Sequence, residues 1–370
     1  MKVLVVCAAG IVSGKEIMSL LLLRQLKARG NSVYCAVSSW GSLDYRERLS
    51  KEGIGFEVLR MGFISKTLTW SAVRMTLVQV CYLPALWLGY LRMLRNVKPD
   101  IIIHTNFHHV FLLLPFLKKR KSWYWSHEVI GNTIFYGRLF RTFEKRLLGF
   151  ICVSEVVANS LRYHGLRNIV VVNNGIELPR EMLPVTVRGK ITSLGIVGQV
   201  SAHKGHEILI EALAKLPPKS WKLRIVGKGL PEYEMALRRR IEELGCTSGC
   251  EWLGFVKDVD LIYSGLDVLV VPSVFSDPYP TTVMEAGVRG IVVVGSTSGG
   301  IPEMIQQGVN GYLFPTGDPV ALRDILHKLI ESRNYIHLSN GARHYAVANF
   351  GLTTFADKFE QLIRDSVLHG

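Results

Sequence analysis

Acidic residues are scarce in the first half of this 370-residue chain. Residues 1–190 hold 27 Lys and Arg against 11 Asp and Glu, whereas the remaining residues hold 17 against 19. The formal net charge of +14 therefore comes from the first half alone. This asymmetry indicates an anionic partner, such as a phosphorylated lipid or an anionic membrane surface. We expect no nucleic-acid partner, because no zinc-binding spacing, RNA-binding strand pattern or helix-turn-helix signature accompanies the charge.

Disulfide spacing is also lacking. Of the six cysteines only Cys246 and Cys250 lie close together, and most of the others lie in apolar runs, where Cys behaves as a small buried hydrophobe. A reducing, cytoplasmic setting fits this usage best. The apolar run that follows Lys2 is too short for a signal-peptide core, and we interpret Lys2–Cys7 as a first β-strand.

Apolar runs alternate with helical patterns along the whole chain, which predicts an α/β protein with parallel sheets and crossover helices. A first helix is predicted over Glu16–Arg29. The predicted strands are Lys2–Cys7, Ser32–Val37, Gly55–Val58, Asp100–His104, Ser122–Trp125, Phe150–Val153, Ile169–Val172, Ile191–Val197, Trp221–Val226, Cys250–Trp252, Val268–Pro272, Ile291–Val294 and Gly311–Phe314.

The length suits two domains. Residues 173–190 show neither helical nor strand periodicity, so we predict an interdomain linker there, with domains at 1–175 and 176–349. Two doubly wound, Rossmann-like domains facing across a cleft would bind a ligand at the carboxyl ends of both sheets. A last helix is predicted over Thr353–Val367.

Two acids with seven residues between them, Asp277 and Glu285, bracket a turn in the second half. Two prolines inside this turn forbid regular helix, so a helix is predicted to begin near Thr281 or Thr282. A helix start exposes unpaired backbone N–H groups and the positive end of the helix dipole, which predicts an anion site. Glu285, one turn into this helix, would lie where a ribose or sugar hydroxyl could be held.

This arrangement resembles the retaining, nucleotide-sugar-dependent glycosyltransferases of the GT-B fold, in particular family 4. The resemblance implies that the first domain binds the acceptor and the second the donor, and that the last helix, at about 350–370, crosses back to the first domain. It places Asp277 by the donor sugar, Glu285 on the ribose, and the amides of Thr281 and Thr282 on the diphosphate. The chain departs from the family at Asp277, where Glu is usual, and at Pro280, where Gly is common.

Glycine-containing loops after two strands of the second half extend the resemblance. Gly198 and Lys204 correspond to a loop that neutralises the donor diphosphate, but Gln199 stands where Arg is common, so Lys204 must carry more of the charge. An exposed turn lysine is the structural alternative. Gly227 lies in a second loop that would let the backbone approach a nucleotide.

Three further residues complete the predicted donor site. Phe255 and Val256 resemble the family's base-facing loop, although an aromatic residue in an apolar run is more often part of the core. Glu303 either contacts the donor or caps a helix N-terminus.

The first half supplies candidates for the acceptor side. His127 ends a predicted strand, and in the family a His at this place touches the donor sugar or the acceptor region; a satisfied structural His is the alternative. Gly14 matches the family's glycine turn near the donor phosphates, and Lys15 and Glu16 beside it are candidates for acceptor contact. Together with Asp277 and Lys204, His127 is a predicted catalytic residue.

No metal and no cofactor are expected. Asp258-Val259-Asp260 looks like a metal-binding D-x-D, but it precedes a predicted helix, and no carboxylate cluster supports a hard-metal site there. His104, His108 and His109 have no metal-ligand spacing. Lysine and a helix start would manage the leaving-group charge instead.

Residues 75–91 are uncharged, contain Pro84, and are flanked by Arg74 and Arg92. We favour a crossover helix in the core; a spanning helix and shallow insertion into the bilayer surface are the alternatives. Basic and aromatic residues cluster elsewhere in the same half, at Lys118, Lys119, Arg120, Lys121, Trp123, Tyr124, Trp125, Arg138, Arg141, Lys145 and Arg146. Their confinement to one domain favours peripheral binding to the cytoplasmic face of an anionic membrane.

The resemblance implies a retaining glycosyltransferase with a nucleotide-sugar donor. The basic first half suggests a lipid-linked or glycan acceptor at the membrane surface. Two alternatives stay open: a nucleotide-sugar epimerase on the same architecture, and a non-catalytic nucleotide-sugar-binding subunit, which the departures at positions 199, 277 and 280 suggest.

Overall fold

The computed structural model describes residues 1–7, 12, 14–62, 69–117, 121–179, 192–332 and 335–369. The chain forms two compact units, Met1–Gly175 with Leu352–Gly370, and Ile176–Gly351. The first boundary lies inside the predicted linker, whose residues 180–190 lie outside the described part of the chain.

A seven-stranded, fully parallel sheet forms the centre of the first unit, in the order β3-β2-β1-β4-β5-β6-β7. Its strands are β1 (Lys2–Cys7), β2 (Ser32–Ser38), β3 (Gly55–Leu59), β4 (Ile101–His104), β5 (Ser122–Ser126), β6 (Gly149–Cys152) and β7 (Ile169–Val171). The order reverses between β1 and β4, and at such a switch point the carboxyl ends of the strands leave a crevice for ligands.

Helices of the first unit connect these strands. They are α1 (Gly14–Ala28), α2 (Leu43–Lys51), α3 (Trp70–Val97), α4 (Phe107–Leu113), α5 (Ile134–Glu144) and α6 (Glu155–Tyr163). The strands β4, β5 and β6 are buried throughout, as expected for parallel strands covered on both faces.

The second unit repeats the plan with a six-stranded parallel sheet in the order β10-β9-β8-β11-β12-β13. Its strands are β8 (Ser193–Val197), β9 (Lys222–Val226), β10 (Cys250–Gly254), β11 (Val268–Val271), β12 (Val292–Ser296) and β13 (Gly311–Phe314). Its helices are α7 (His206–Leu213), α8 (Pro231–Glu243), α9 (Val259–Tyr263), α10 (Thr281–Val288), α11 (Pro319–Glu331) and α12 (Tyr335–Phe350). The switch point lies between β8 and β11.

The last helix, α13 (Leu352–His369), belongs to the first unit. Trp125 of β5 packs on the rings of Phe355 and Phe359, at centroid distances of 5.9 and 4.7 Å. Glu360 accepts hydrogen bonds from Arg29 at 3.2 Å and from Asn31 at 3.1 Å, both just after α1. Apolar packing and charge-assisted hydrogen bonds together hold the end of the chain on the first unit.

Two expectations for the first half need correction. The helix over residues 75–91 is the crossover α3, but only 22% of its most apolar window is buried, so it is not a core helix. By length and composition this helix could cross a membrane, which is weak evidence by itself. The aromatic residues Trp123, Tyr124 and Trp125 are buried in β5, and therefore cannot form part of a basic and aromatic surface. Lys118, Lys119 and Arg120 lie outside the described residues.

Candidate functional site in the second unit

Lys204 lies at the carboxyl end of β8, beside the switch point of the second sheet. A short 3-10 turn, Ala202–Lys204, ends at Gly205, which has a φ of 70° and leads into α7. A Cβ on Gly205 would collide with the carbonyl group of Pro272, which follows β11. Glycine is therefore required where the loops after β8 and β11 pass each other.

Asp277 follows β11 and reaches Lys204. The Lys204 Nζ atom donates to Asp277 Oδ2 at 2.5 Å, and the carboxylate side chain is only 14% exposed. Two backbone bonds hold this geometry: Val274 N donates to His203 O at 2.9 Å, and Gly300 N donates to Asp277 O at 2.8 Å. The loops after β8, β11 and β12 thus place one cation and one anion side by side.

The helix α10 begins at Thr281, as predicted, with Pro280 in the N-cap position. Proline has no side-chain acceptor for the amides of the first turn. The N–H groups of Thr281 and Thr282 therefore receive no hydrogen bond from the N-cap side chain, and they lie at the positive end of the helix dipole.

Glu285 lies one turn further along α10 and is held by a second network. Its Oε2 atom accepts a hydrogen bond from the Tyr263 hydroxyl at 2.8 Å. Burial raises the pKa of the Tyr263 phenol well above its usual range, and the Glu285 charge raises it further, so the phenol stays a donor. Arg289 donates to the Glu285 carbonyl at 2.9 Å and to Asp260 at 2.6 Å. Sequence reasoning missed Tyr263, which no local motif marks.

The Gly227 loop after β9 lies against the loops on both sides. Gly227 N donates to Gly254 O at 2.8 Å, and Gly198 N donates to Val226 O at 2.9 Å. A Cβ on Gly227 would collide with the Gly198 carbonyl, so its glycine is explained by contact between loops of the protein itself.

Phe255 and Val256 follow directly after β10. The Phe255 side chain is 71% exposed, so this aromatic residue is not part of the core. Val256 is half-buried. Gly254 accepts a hydrogen bond from Gly227, and Gly227 lies against Gly198 in the loop that also carries Lys204. The exposed ring therefore follows a loop that is linked through Gly227 to the Lys204 loop.

Glu303 is the last residue of a 3-10 turn, Ile301–Glu303, whose N-cap is Gly300. It is half-buried, and its carboxylate lies near enough to Tyr279 for its charge to affect the pKa of that phenol. Burial raises the pKa of the Tyr279 phenol, and the neighbouring Tyr345 and Glu303 raise it further. Because Gly300 bonds to Asp277, Glu303 is connected through this short turn to the Asp277 loop.

Asp258 and Asp260 have structural roles. Asp258 Oδ1 caps α9 by accepting from the amides of Asp260 and Leu261, at 2.9 and 3.4 Å. Asp260 pairs with Arg289 at 2.6 Å. The described residues contain no group of three or more His, Cys, Asp or Glu suited to a metal ion.

Candidate residues in the first unit

His127 follows β5, and its ring contacts Trp125 at a centroid distance of 4.4 Å. Its Nε2 atom is buried, with no hydrogen-bond partner among the described residues. Burial and, to a smaller extent, the nearby Lys15 charge lower the pKa of His127 to about 3. The imidazole is therefore neutral near pH 7 and can offer a hydrogen bond but no positive charge.

Lys15 and Glu128 connect α1 with the His127 loop through an ion pair at 3.6 Å. Glu16 is only 1% exposed, and its contact with an acceptor stays a prediction. Gly14 is exposed at the start of α1, where a Cβ would meet nothing within 4 Å. Most of the turn before it, residues 8–11 and 13, lies outside the described part of the chain.

Two further histidines are fully buried near β4. Burial lowers the pKa of both His104 and His109 to about 3. Neither ring has a hydrogen-bond partner within the described ranges. Burying a neutral imidazole without a partner is costly, and sequence spacing gave no sign of it.

Comparison with known proteins

Two family models match adjoining parts of the chain. Residues 12–180 match the model described as Glycosyltransferase Family 4, and residues 192–332 match the model described as Glycosyl transferases group 1. WcaL of Escherichia coli (strain K12), a glycosyltransferase named for colanic acid biosynthesis, is 30% identical over 209 residues, which is 53% of this chain and 50% of WcaL. A D-inositol 3-phosphate glycosyltransferase of Corynebacterium diphtheriae is 26% identical over 200 residues, or 52% of this chain and 46% of that protein.

The chain spans about half the length of the curated relatives it matches. Among solved structures, Anabaena Alr3699/HepE in complex with UDP aligns with a TM-score of 0.81 over 99% of this chain and 100% of that chain, at 20% identity. That likeness confirms the predicted α/β fold with two Rossmann-like halves. The chain thus has the GT-B fold, and its two parts each match a glycosyltransferase family model.

Proposed function

We propose that this protein transfers a sugar from a nucleotide-diphosphate sugar to a hydroxyl acceptor, with retention of the anomeric configuration. The observation that supports it most directly is the Lys204–Asp277 contact at the switch point of the second sheet. The two site loops lead into α7 and into α10, whose first amides are uncapped by a side chain. Retention is inferred from the resemblance to family 4.

In the proposed step, the bond between the anomeric carbon and the diphosphate oxygen breaks while the acceptor oxygen bonds to that carbon. The electron pair leaves with the diphosphate, whose developing charge is stabilised by the Lys204 ammonium and the amides of Thr281 and Thr282. The acceptor proton passes to the departing phosphate oxygen. Asp277 and His127 are proposed to position the sugar, and Glu285 to bind the ribose hydroxyls.

We propose that the reaction needs no metal ion. It also needs no separate cofactor, since the nucleotide sugar is itself a substrate. Lys204 and the start of α10 supply positive electrostatic potential for the leaving group, while Asp258 and Asp260 are already engaged in a cap and an ion pair.

The acceptor is proposed to be a lipid-linked saccharide or a growing glycan on the cytoplasmic side of a membrane. Two facts support this: the first unit is strongly basic, and WcaL, to which this chain is similar, is named for colanic acid biosynthesis. Turnover measured with a soluble and with a lipid-linked acceptor that carry the same saccharide would distinguish these two kinds of acceptor.

Nucleotide binding tests the donor site. UDP and GDP, with a panel of their sugars, should raise the melting temperature of the wild-type protein, because a ligand that binds only the folded state stabilises it. Lys204→Ala should reduce that shift, whereas Lys215→Ala, at an exposed lysine of the same unit, should retain it. A full shift in Lys204→Ala would remove Lys204 from the donor site.

Product analysis separates the alternatives. An epimerase would convert the donor without an acceptor, and a non-catalytic binding subunit would bind the donor without turnover across an acceptor panel. A transferase releases the nucleoside diphosphate in step with a glycosylated acceptor.

A further inference from the structure

We propose that α3 is a docking surface for an anionic phospholipid bilayer and lies along the plane of the membrane. This proposal rests on the proposed function, because docking would bring the enzyme to a membrane-bound acceptor. Its physical basis and its test are independent of sugar transfer.

One side of α3 is fixed to the first unit. Leu86, Tyr90 and Met93 are completely buried on that side. Gln79 donates to the Arg60 carbonyl at 3.2 Å, and Trp87 donates to the Leu112 carbonyl at 2.9 Å. This attachment, together with the connection of α3 to β3 and β4 of one sheet, argues against a helix that leaves the domain to span a bilayer.

The opposite side of α3 is apolar and open. Trp70, Leu77 and Leu88 are 83%, 60% and 71% exposed, and spacings of seven and eleven residues place them on one helical face. An open groove of about 350 Å³ runs beside this row, lined by residues that include Val73 and Tyr82. A contiguous apolar surface of this kind marks an interaction site.

Arginines flank the apolar row. Arg74, Arg92 and Arg95 are exposed, and their spacing from Trp70 and Leu88 puts them on the same face. In a helix lying at the bilayer interface, such side chains extend towards lipid phosphates while the apolar residues between them insert.

Charge selects the bilayer over a second copy of this chain. The helix α3 contains no Asp or Glu. The sequence of the first unit holds 26 Lys and Arg against 12 Asp and Glu, whereas that of the second unit holds 18 of each. Two copies joined through α3 would bring like charges together, whereas an anionic bilayer would attract the arginines on the exposed face of α3.

Vesicle flotation tests the proposal with phosphatidylcholine alone and with phosphatidylcholine mixed with phosphatidylglycerol. The wild-type protein should bind the anionic mixture about tenfold more tightly or better than the neutral lipid. Leu88→Asp and Leu77→Asp should each weaken that binding about tenfold, because each places a charge where an apolar side chain inserts. Arg74→Gln combined with Arg92→Gln should reduce binding to the anionic vesicles and its sensitivity to salt.

Leu43→Asp is the matched control, since Leu43 lies in the same unit at the start of α2 and is 68% exposed. It should bind vesicles like the wild type, and circular dichroism melting should confirm that all variants fold. Equal weak binding to both vesicles, or an equal loss in Leu43→Asp and Leu88→Asp, would overturn the proposal. So would a dimer in sedimentation velocity that Leu88→Asp dissociates. A UDP-induced melting shift in Leu88→Asp reports separately on the donor site.

Discussion

The two units share the strand order around their switch points but differ in where their charged residues lie. In both, a parallel sheet reverses its strand order at a switch point. The second unit is neutral in sum and holds Lys204 against Asp277, while Glu285 lies within the Tyr263 network. The first unit carries the whole positive excess, buries uncharged histidines, and exposes the apolar side of α3. The same fold therefore holds a paired Lys and Asp beside the switch point of one unit and an exposed apolar helix face on the other.

Breaking the Lys204–Asp277 pair should have the largest effect. We expect Asp277→Asn to lower turnover about a hundredfold, since the carboxylate proposed to position the sugar is lost. UDP should bind as well as before or more tightly, because Lys204 no longer has to leave Asp277 to reach a phosphate. Steady-state kinetics and calorimetry with UDP would measure the two effects. Weaker UDP binding with unchanged turnover would contradict both.

Removing the hydrogen bond from Tyr263 to Glu285 should have a smaller effect on the kinetics. Tyr263→Phe removes one hydrogen bond to the carboxylate while it keeps the buried ring, so the KM for the donor should rise about fivefold with kcat nearly unchanged. Tyr233→Phe, on α8, is the matched control. A change in kcat alone would show that Tyr263 does not act through ribose binding.

Acid should destabilise the first unit more than the second. The folded-state pKa values of His104, His109 and His127 are lowered from 6.5 to about 3. Between these values the unfolded chain binds protons that the folded unit excludes, so stability is full above pH 6.5 and falls as the pH approaches 3. In the second unit His206 shows this behaviour, with a pKa lowered to about 4.

The smallest expected change is in the slope of that pH dependence. His104→Phe should reduce the loss of melting temperature between neutral and acidic pH, whereas His327→Phe, at an exposed position of the second unit, should not. Hydrogen exchange resolved by unit would show which half opens first. Equal acid sensitivity of both units would refute the comparison.

The sheets were largely predictable from sequence, while the contacts of the site were not. Every predicted strand is found within about two residues of its expected bounds, except that Ile191 lies outside the described residues. Buried parallel strands produce apolar runs that can be recognised locally. The start of α10 was predicted equally well, because proline restricts the backbone near its own position.

Pairing between distant loops has no local signature. Lys204 and Asp277 are 73 residues apart in the chain, and their contact depends on the order of β8 and β11 in the sheet. The burial of Trp123 and Trp125 and the exposure of α3 were missed for the same reason. Composition identifies residues that can bind a membrane, but the fold determines which of them reach the surface.

The placement of α13 has a consequence for biosynthesis. Because Arg29 and Asn31 bind Glu360, the first unit includes residues that are synthesised after the whole of the second unit. The second unit ends at Gly351, so it can fold before α13 of the first unit has been synthesised. A chain truncated after Gly351 should therefore form a protease-resistant second unit and leave the first unit open to cleavage.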